Sequence, residues 1–323
     1  MKRVLFILGL FLFVYALSSG VPSTHAQTYP DRPIQLVIPV PPGVVLDVTG
    51  RLVAEELSKI LKTQVVVLNK PGASMVLGTD QVARSKKDGY TIAYTNTSAI
   101  VYSRVTNPET VPYDPLKDLE PLGLHLFFPL TVTVRASSPW KHFSELIEYA
   151  KNNPGKLRVT TPGQGTVDHF NLEITQILTG AQFTHVPMKG EQVITALLGG
   201  HVEVVSDALS KIMPHLDSGK LRILLITKKM AGFPDIPTIS DLGFKQDLFS
   251  AWAAFYAPAG VPGEVKRVLI PAIEKAINNR ELKEKINNMG FIVDYKPPEE
   301  LRKLSIDYYE RAYAVAKRLE IAK

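Results

Sequence analysis

Residues 34–61 read IQLVIPVPPGVVLDVTGRLVAEELSKIL, and the order of apolar and polar residues in this stretch indicates how the chain is built. Residues 34–40 form a nearly continuous apolar run, which is typical of a strand covered on both faces. Two prolines and a glycine end this run, and from Asp47 to Leu61 the apolar residues recur at helical spacing. A buried strand, a short turn and an amphipathic helix together predict an α/β fold with parallel strands.

The alternation of short apolar strands and amphipathic helices continues along the chain in two series. In the first series, strands at residues 65–68 and 90–94 flank a helix at 79–85. The second series has strands at residues 157–160, 183–186, 202–206 and 222–227, separated by helices at 167–178, 192–198 and 210–216. The pattern predicts two α/β units, each with a mainly parallel sheet flanked by helices.

Two long apolar stretches, residues 122–134 and 250–257, are expected to cross between the two units as strands. Further helices follow the second crossing, and the first unit is the packing partner available to them. We therefore expect a discontinuous first lobe of residues 27–126 and 256–323, and a second lobe of residues 127–255. Two lobes joined by two crossover strands can close like a hinge about a cleft.

The first 26 residues are typical of a secretory signal peptide. Lys2 and Arg3 precede an apolar run at residues 4–17, which is shorter than the roughly 20 residues that span a bilayer as a helix. His25 and Ala26 lie in a sequence that resembles a cleavage site, so we expect cleavage near Ala26 and export of the rest of the chain. An uncleaved membrane anchor is the alternative for this segment.

Composition and charge exclude several classes of protein. The 323 residues are 45% hydrophobic and 21% charged, which is ordinary for a globular protein and rules out wholesale disorder. The net charge of +6 falls to +4 without Lys2 and Arg3, and no block of basic residues is present. We therefore expect no nucleic-acid partner. The absence of cysteine excludes disulfides, thiolate metal sites and a thiol nucleophile.

A series of short motifs runs in order over essentially all of the chain after the signal peptide. The motifs include YPDRPI at 29–34, VIPVPPG at 37–43, NKPGA at 69–73, DGYT at 88–91, VPYDPLKD at 111–118, NPGKL at 153–157, PGQGT at 162–166, HVP at 185–187, PDIPT at 234–238 and APAGVP at 257–262. Each motif is weak by itself, but the ordered series is specific. The chain resembles the Bug-type (TctC-like) extracytoplasmic solute receptors of tripartite tricarboxylate transporters.

This resemblance implies a periplasmic-binding-protein fold whose two lobes close on a small organic carboxylate. It also implies a periplasmic location, a monomer that needs no cofactor, and delivery of the ligand to the membrane permease subunits of a tripartite tricarboxylate transporter. In the family, backbone amides and hydroxyls of two loops hold the ligand carboxylate, often through bridging waters. The matching loops in this sequence are residues 42–47 and 163–166.

The same two loops have the local chemistry of an anion site without the resemblance. Each follows the carboxyl end of a strand and leads into a helix start, where unpaired N–H groups and a partial positive charge favour an anion. An ordinary strand–turn–helix connection is the alternative for each loop. The predicted ligand contacts in them are Pro42, Gly43, Val44, Val45, Leu46, Gly163, Gln164, Gly165 and Thr166.

The first loop departs from the family pattern. Where the family usually has further glycines and a Thr or Ser before the Asp, this chain has Val44, Val45 and Leu46. Branched apolar residues neither let the backbone approach a ligand nor donate a hydroxyl hydrogen bond. We therefore expect a monocarboxylate, or an aromatic or otherwise partly apolar acid, rather than citrate.

Other polar residues have two possible roles. Asn96 and Thr97 follow a strand and are expected to line the cleft by the resemblance, with a solvated loop as the alternative. Asp207 matches a position that faces the cleft in the family, but it can also cap the next helix. His169 and Glu173 are four residues apart, and we interpret this pair as structural rather than as a metal site or a general base.

We expect a binding protein rather than an enzyme, with no catalytic residue and no metal site. The sequence contains no G-x-S-x-G, G-x-G-x-x-G, Walker or H-E-x-x-H motif. Two other functions fit a two-lobed exported protein. One is a hydrolase-like α/β enzyme, which would lose turnover when His169 is changed. The other is a sensory carboxylate receptor that presents its closed state to a signalling partner.

Overall fold

The structure, a computed structural model, describes residues 29–190 and 192–320. Residues 29–31 belong to a separate unit, Met1–Asp31, and all elements below lie in the second unit, Arg32–Lys323. The expected signal peptide and its cleavage near Ala26 lie outside the described residues. Within the part of the chain that is described, no helix is both long and apolar enough to cross a membrane.

Strands and helices alternate as the apolar pattern predicts. The strands are Ile34–Ile38 (β1), Val65–Asn69 (β2), Thr91–Asn96 (β3), Leu119–Phe128 (β4), Leu130–Arg135 (β5), Arg158–Thr161 (β6), Thr184–Pro187 (β7), Val204–Ala208 (β8), Leu221–Ile226 (β9), Ala251–Pro258 (β10) and Ile292–Lys296 (β11). The α-helices are Val45–Leu61 (α1), Val76–Ala83 (α2), Ser103–Thr106 (α3), Phe143–Asn152 (α4), Val167–Thr179 (α5), Gln192–Leu198 (α6), Leu209–Asp217 (α7), Gly263–Ile277 (α8), Arg280–Asn287 (α9) and Pro298–Arg318 (α10).

The strands form two sheets, which confirms the expected α/β fold with two lobes. The first sheet has the order β11-β4-β10-β3-β1-β2, and the second has the order β7-β6-β8-β5-β9. β1 runs parallel to β2 and β3, and β6 runs parallel to β7 and β8. The remaining neighbours are antiparallel. Both sheets are therefore mixed rather than mainly parallel. In the first sheet, β10 returns from the second lobe and runs opposite to β3 and β4, and the edge strand β11 also runs opposite to β4.

The chain crosses between the sheets twice. The expected crossing strand at residues 122–134 is present as β4 and β5, whereas the stretch 250–257, expected to cross as a strand, forms β10 within the first sheet. The first crossing is at Pro129, between β4 of the first sheet and β5 of the second. The second is the segment 227–250, which joins β9 to β10. The two crossings are bonded to each other: the amide of Leu130 donates to Oγ1 of Thr227 at 3.0 Å, and that oxygen lies 2.7 Å from Oγ of Ser250.

Helices after the second crossing return to the first sheet. α8 packs on α1 and β4, and α10 packs on β4 and β11. α10 also contacts α5 of the second lobe. Between the lobes, the Tyr102 ring stacks on Phe170 with centroids 5.3 Å apart, and Phe249 lies 4.8 Å from Tyr308. Burial of these large rings stabilises the contact between the lobes.

The parallel strands determine where loops can form a site. The carboxyl ends of β1, β2 and β3 lie at one edge of the first sheet, and those of β6 and β8 lie at one edge of the second. Ligands of open α/β sheets bind outside such edges, because the strand-to-helix loops and the helix starts gather there. The loops that follow β3 and β6 meet across the space between the two lobes.

Candidate functional site

A cleft of about 330 Å³ lies between the two lobes, which is the size range of a small-molecule site. The first lobe contributes Ser74, Ser98, Tyr102, Ser103, Thr106 and Asn107 to its lining, and the second contributes Pro162, Gln164, Gly165, Thr166, Val167 and Asp168. The lining is thus rich in hydroxyl and amide groups. Among the described lining residues, Asp168 is the one carboxyl and there is no Lys, Arg or His.

The loop between β6 and α5 is held in place by its own hydrogen bonds. Oγ1 of Thr166 donates to the carbonyl of Gly163 at 2.7 Å and accepts from the amide of His169 at 3.4 Å, so it caps α5. The amide of Gly165, a residue with φ of +75°, donates to Nδ1 of His169 at 3.1 Å. The first turn of α5, whose amides have no partner within the helix, therefore faces the cleft in a defined position.

Two stacked histidines support this loop. The rings of His169 and His185 are 4.5 Å apart with an interplanar angle of 15°, and Nε2 of His185 lies 2.7 Å from Oγ1 of Thr161. Burial lowers the pKa of His169 to about 4, with a further lowering from His185, and it also lowers the pKa of His185. Both rings are neutral at pH 7, so Nδ1 of His169 is free to accept the hydrogen bond from Gly165.

Asp168 is a buried acid at the cleft. Its side chain accepts a hydrogen bond from Oγ of Ser206 at 3.2 Å, and the residue is 4% exposed. Burial, and then the charge of Asp207, raise the pKa of Asp168 to about 8. Asp207 is itself buried, but it accepts from the amide of Ala208 at 2.7 Å and lies 3.0 Å from Nζ of Lys211. Of the two carboxyls, Asp207 has a cation partner and Asp168 has a hydroxyl.

The first lobe faces α5 with a polar helical segment. A π-helical turn at Ser98–Tyr102 continues directly into α3. Oδ1 of Asn96 accepts from the amide of Ser98 at 2.8 Å and so fixes the start of the turn, while Thr97 is buried. This segment carries the hydroxyls that line the cleft opposite α5.

The turn between β2 and α2 is a second segment of the first lobe that lines the cleft, and its backbone is strained. Three consecutive residues without a glycine, Ala73, Ser74 and Met75, have φ of 45°, 53° and 76°. The left-handed region costs such residues about 1–2 kcal/mol each. Ser74 lines the cleft, and strain of this kind tends to occur where a site requires an unusual backbone.

The predicted first loop lies at the carboxyl end of β1, outside the lining of the cleft. Val44 and Val45 are 43% and 38% exposed, whereas Leu46 is buried. The amide of Gly43 donates to Oδ2 of Asp47 at 2.9 Å, so this carboxylate occupies one of the donors at the start of α1.

The buried carboxylate of Asp47 is held by further partners. Nδ2 of Asn69 donates to its Oδ1 at 2.8 Å, and Nε of Arg51 lies 3.0 Å from its oxygens. Burial opposes ionisation, but the hydrogen bonds from Arg51, Asn69 and Gly43 together lower the pKa of Asp47. This network stabilises the turn between β1 and α1.

The structure brings part of the predicted set together. Gln164, Gly165 and Thr166 line the cleft, with Gly163 in the same loop. Asn96 and Thr97 precede the lining residue Ser98, and Asp207 acts on the lining residue Asp168 through its charge. The residues of the predicted first loop lie outside the lining: Pro42, Gly43, Val44, Val45 and Leu46. Sequence reasoning missed Ser74, Tyr102, Ser103, Thr106, Asn107 and Asp168. The available signal for the first lobe was the recurrence of polar residues four to five positions apart in the segment 98–107, which places them on one face of a helix.

Glu173 lies 3.8 Å from Nε2 of His169 and on the side of that ring away from the Gly165 contact. Among the described residues, no group of three or more His, Asp or Glu side chains is placed to hold a metal ion. The arrangement at the cleft is that of a binding site built from hydrogen-bond donors and acceptors rather than from ion pairs.

Comparison with known proteins gives one family. The sequence model of the family described as "Tripartite tricarboxylate transporter family receptor" matches residues 49–321. The chain is 31% identical to protein BugT of Bordetella pertussis over 314 residues, which cover 96% of this chain and 95% of BugT. It is 34% identical over 302 residues to a UPF0065 protein in the gbd 5' region of Cupriavidus necator, covering 93% and 91% of the two chains.

Solved structures agree with the sequence relatives. A TctC solute binding protein from Polaromonas superposes with a TM-score of 0.81 at 27% identity, covering 90% of this chain and 100% of the other. Rpa4515 of R. palustris with adipate superposes with a TM-score of 0.75 at 27% identity, covering 91% of this chain and 99% of Rpa4515. MatC of Rhodopseudomonas palustris with bound malate superposes with a TM-score of 0.69 at 26% identity, covering 89% of this chain and 99% of MatC.

Proposed function

The chain belongs to the tripartite tricarboxylate transporter receptor family, and on that premise we propose that it captures a small organic carboxylate in the cleft between its lobes and delivers it to a permease of the tripartite tricarboxylate type. The observation that carries this proposal is the composition of the cleft. The start of α5 lies on one side of it and a hydroxyl-rich helical segment lies on the other. Relatives with adipate and with bound malate support a carboxylate as the ligand.

Hydrogen bonds must supply most of the affinity. A micromolar complex needs about 8 kcal/mol, and a helix N-terminus contributes about 0.3–1 kcal/mol to anion binding at an exposed site. The ligand carboxylate accepts at the start of α5 from an amide other than that of His169, which already donates to Thr166, and Gln164 can add a side-chain amide. The hydroxyls of Ser98 and Ser103 supply donors from the opposite lobe, so binding links the two lobes. The hydroxyl of Thr106 donates to the carbonyl of Tyr102 at 2.9 Å and can only accept from a ligand.

Closure of the lobes is the second part of the proposal. The lobes are those expected from the sequence, residues 27–126 with 256–323 and residues 127–255, with the boundaries moved to hinges at Pro129 and at the Thr227–Ser250 pair. The reason for the change is that β4 and β10 pair within the first sheet over their whole lengths. The ligand stabilises the closed form because it contacts both lobes. Small-angle scattering with a bound acid is expected to show a smaller radius of gyration than without it. Unchanged dimensions at saturation would contradict hinge closure.

The finer ligand class is a monocarboxylate, or an aromatic or partly apolar acid. Its basis is the sequence of the first loop, where Val44 and Val45 replace the glycines and hydroxyl that are usual in the family. Both are exposed at the carboxyl end of β1, outside the lining of the cleft. Isothermal titration calorimetry with butyrate, benzoate, adipate, malate and citrate tests this ranking directly. Tight binding of citrate alone would overturn the ligand class while leaving the receptor function intact.

Export and assembly complete the proposal. The protein acts in the periplasm as a monomer, after removal of the signal peptide near Ala26. Mass determination of the exported chain is expected to give a start near Gln27, and light scattering is expected to give one chain per particle. Uptake of the bound acid by cells that contain a tripartite permease, lost when this receptor is deleted, tests delivery as opposed to sensing.

A further inference from the structure

One ionisable side chain of the cleft has no charged partner. Asp168 lies in the first turn of α5, is almost fully buried, and lines the space between the lobes. Its Oδ1 accepts from the hydroxyl of Ser206, and the backbone amide of Asp168 is a second donor to the same carboxyl. We assign the proton to Oδ2, the oxygen to which no described side chain donates. A carboxyl in such a place is uncommon, because an ionised carboxylate at this helix start would compete with a ligand anion for the same amides.

Burial and then the charge of Asp207 favour the neutral form of Asp168 and raise its pKa, whereas the Ser206 hydroxyl, Lys211 and the amide of Asp168 itself act in the opposite direction and are outweighed. From β8 the carboxylate of Asp207 faces it, and Lys211 on α7 is already paired with that carboxylate at 3.0 Å. On the first-lobe side Tyr102 is the neighbouring titratable group, with Tyr308 and Arg311 of α10 beyond it.

On its own helix the next residue is the neutral ring of His169. The guanidinium of Arg311 lies over the ring of Phe249, with Cζ 4.5 Å from the centroid. No cation among the described residues is therefore paired with Asp168.

We propose that Asp168 is a specificity-determining proton donor: its protonated carboxyl donates a hydrogen bond from Oδ2 to the carboxylate of the bound ligand, so that the acid is bound together with one proton retained in the cleft. This inference rests on the proposed function, since it requires a carboxylate ligand. It explains how a receptor can keep a buried acid at the start of the helix that holds an anion. No bond other than hydrogen bonds forms or breaks, and the proton stays on Asp168.

The sign of the pH dependence follows from this role. Below the pKa of Asp168, at about 8, the proton is present and affinity is independent of pH. Above it, binding must take up a proton from solvent, so affinity falls about tenfold for each further pH unit. The charge of Asp207 contributes to the raised pKa, so Asp207→Asn is expected to move the start of this fall to lower pH.

The test is calorimetry between about pH 6 and pH 9.5, with whichever of adipate, malate, benzoate and butyrate binds most tightly at the lower pH. Titrations in two buffers of different ionisation enthalpy measure proton uptake. For the wild-type protein we expect close to one proton per ligand at the alkaline end and almost none at the acid end. This measurement needs no variant, so it holds even if a substitution impairs folding.

Two variants distinguish hydrogen-bond donation by Asp168 from a general effect of negative charge on affinity. Asp168→Asn keeps a hydrogen-bond donor at every pH, so its affinity is expected to lie within about threefold of the wild-type value at low pH and to lose the alkaline fall. Asp80→Asn, which changes an acid of α2 paired with Arg84 at 2.8 Å, is the matched control and is expected to keep the wild-type pH profile.

Each other result overturns the inference in a recognisable way. If the acids bind with neither an alkaline fall nor proton uptake, Asp168 does not donate, and the receptor function stands. If β-alanine or aspartate binds more tightly than these acids and tightens as the pH rises, Asp168 acts instead as an anion that pairs with an ammonium group. If no acid binds at any pH, the proposed function fails and the inference fails with it.

Discussion

Gly165 lies against Thr106 across the cleft. A Cβ atom placed on Gly165 would lie 3.1 Å from Cγ2 of Thr106, which is a tight contact. Gly165 precedes α5 in the second lobe, and Thr106 ends α3 in the first. The two sides of the cleft thus approach each other at a residue without a side chain, and Gly165 also has the positive φ that glycine adopts most readily.

Gly165→Ala is expected to weaken both folding and ligand binding. The positive φ alone costs alanine about 1–2 kcal/mol, and the contact with Thr106 adds to it. Gly180→Ala is the matched control, because Gly180 ends the same helix with the same φ of +75° but has open space around its Cβ position. Urea unfolding of both variants measures the difference. Equal losses of unfolding free energy and equal affinities would show that the Thr106 contact has no effect.

The His169 ring is expected to contribute to affinity through the Gly165 amide. His169→Leu removes the acceptor at Nδ1, and loss of one such hydrogen bond, at about 1 kcal/mol, predicts a fivefold to tenfold weaker complex. His169→Asn keeps an acceptor near the position of Nδ1 and is expected to bind almost as tightly as the wild-type protein. Calorimetry with the same acid compares the two. If both variants lose equal affinity, the ring acts only through packing.

Asp168 also makes stability depend on pH. Its folded-state pKa of about 8 lies above the ordinary value of 3.8, so between these values the folded chain binds more protons than the unfolded chain. The stabilising contribution is fully present below pH 3.8 and is lost progressively as the pH rises from 3.8 to about 8, by at most about 1.4 kcal/mol per pH unit. Asp168→Asn is therefore expected to gain more in thermal stability at pH 8 than at pH 5. A gain of the same size at both values would contradict a raised pKa.

The strained Ser74 is expected to lower the stability of the protein while its hydroxyl strengthens ligand binding. Ser74→Gly relieves the left-handed backbone and is predicted to raise the unfolding free energy by about 1 kcal/mol, but it removes a hydroxyl from the cleft and so lowers affinity. Ser74→Ala removes the same hydroxyl and keeps the strain. Ala73→Gly relieves strain at the neighbouring position, where φ is 45°, and keeps the hydroxyl. Unfolding and binding measured on all three separate the two effects; a Ser74→Gly variant that binds normally would remove Ser74 from the site.

Local features of this protein were predictable because their signals lie within a few residues. The apolar run and the helical spacing at residues 34–61 predicted β1 and α1, and the observed Val45–Leu61 begins two residues before Asp47. Thr166 is of a residue type that caps helix starts, and it caps α5 through the amide of His169 three residues later. The Asp47–Arg51 pair is likewise set by i,i+4 spacing.

Strand direction and the depth of side chains were not predictable in the same way. β10 pairs antiparallel with β3 and β4, and its partners lie more than a hundred residues earlier in the chain. Asp168 looks in sequence like an ordinary acid in the first turn of a helix. Its burial depends on Ser206, which is 38 residues away, and on the neighbouring Asp207.

The sequence by itself determined the strand–helix rhythm, the two crossings and the family, because periodicity, turn residues and ordered motifs are properties of neighbouring residues. Only the tertiary structure decided that Gln164, Gly165 and Thr166 face Ser98, Ser103 and Thr106, and that the valines after β1 stay outside the cleft lining. Which loops face each other, and which carboxyl is buried away from solvent, depends on packing between segments far apart in the chain. That packing is a property of the whole fold.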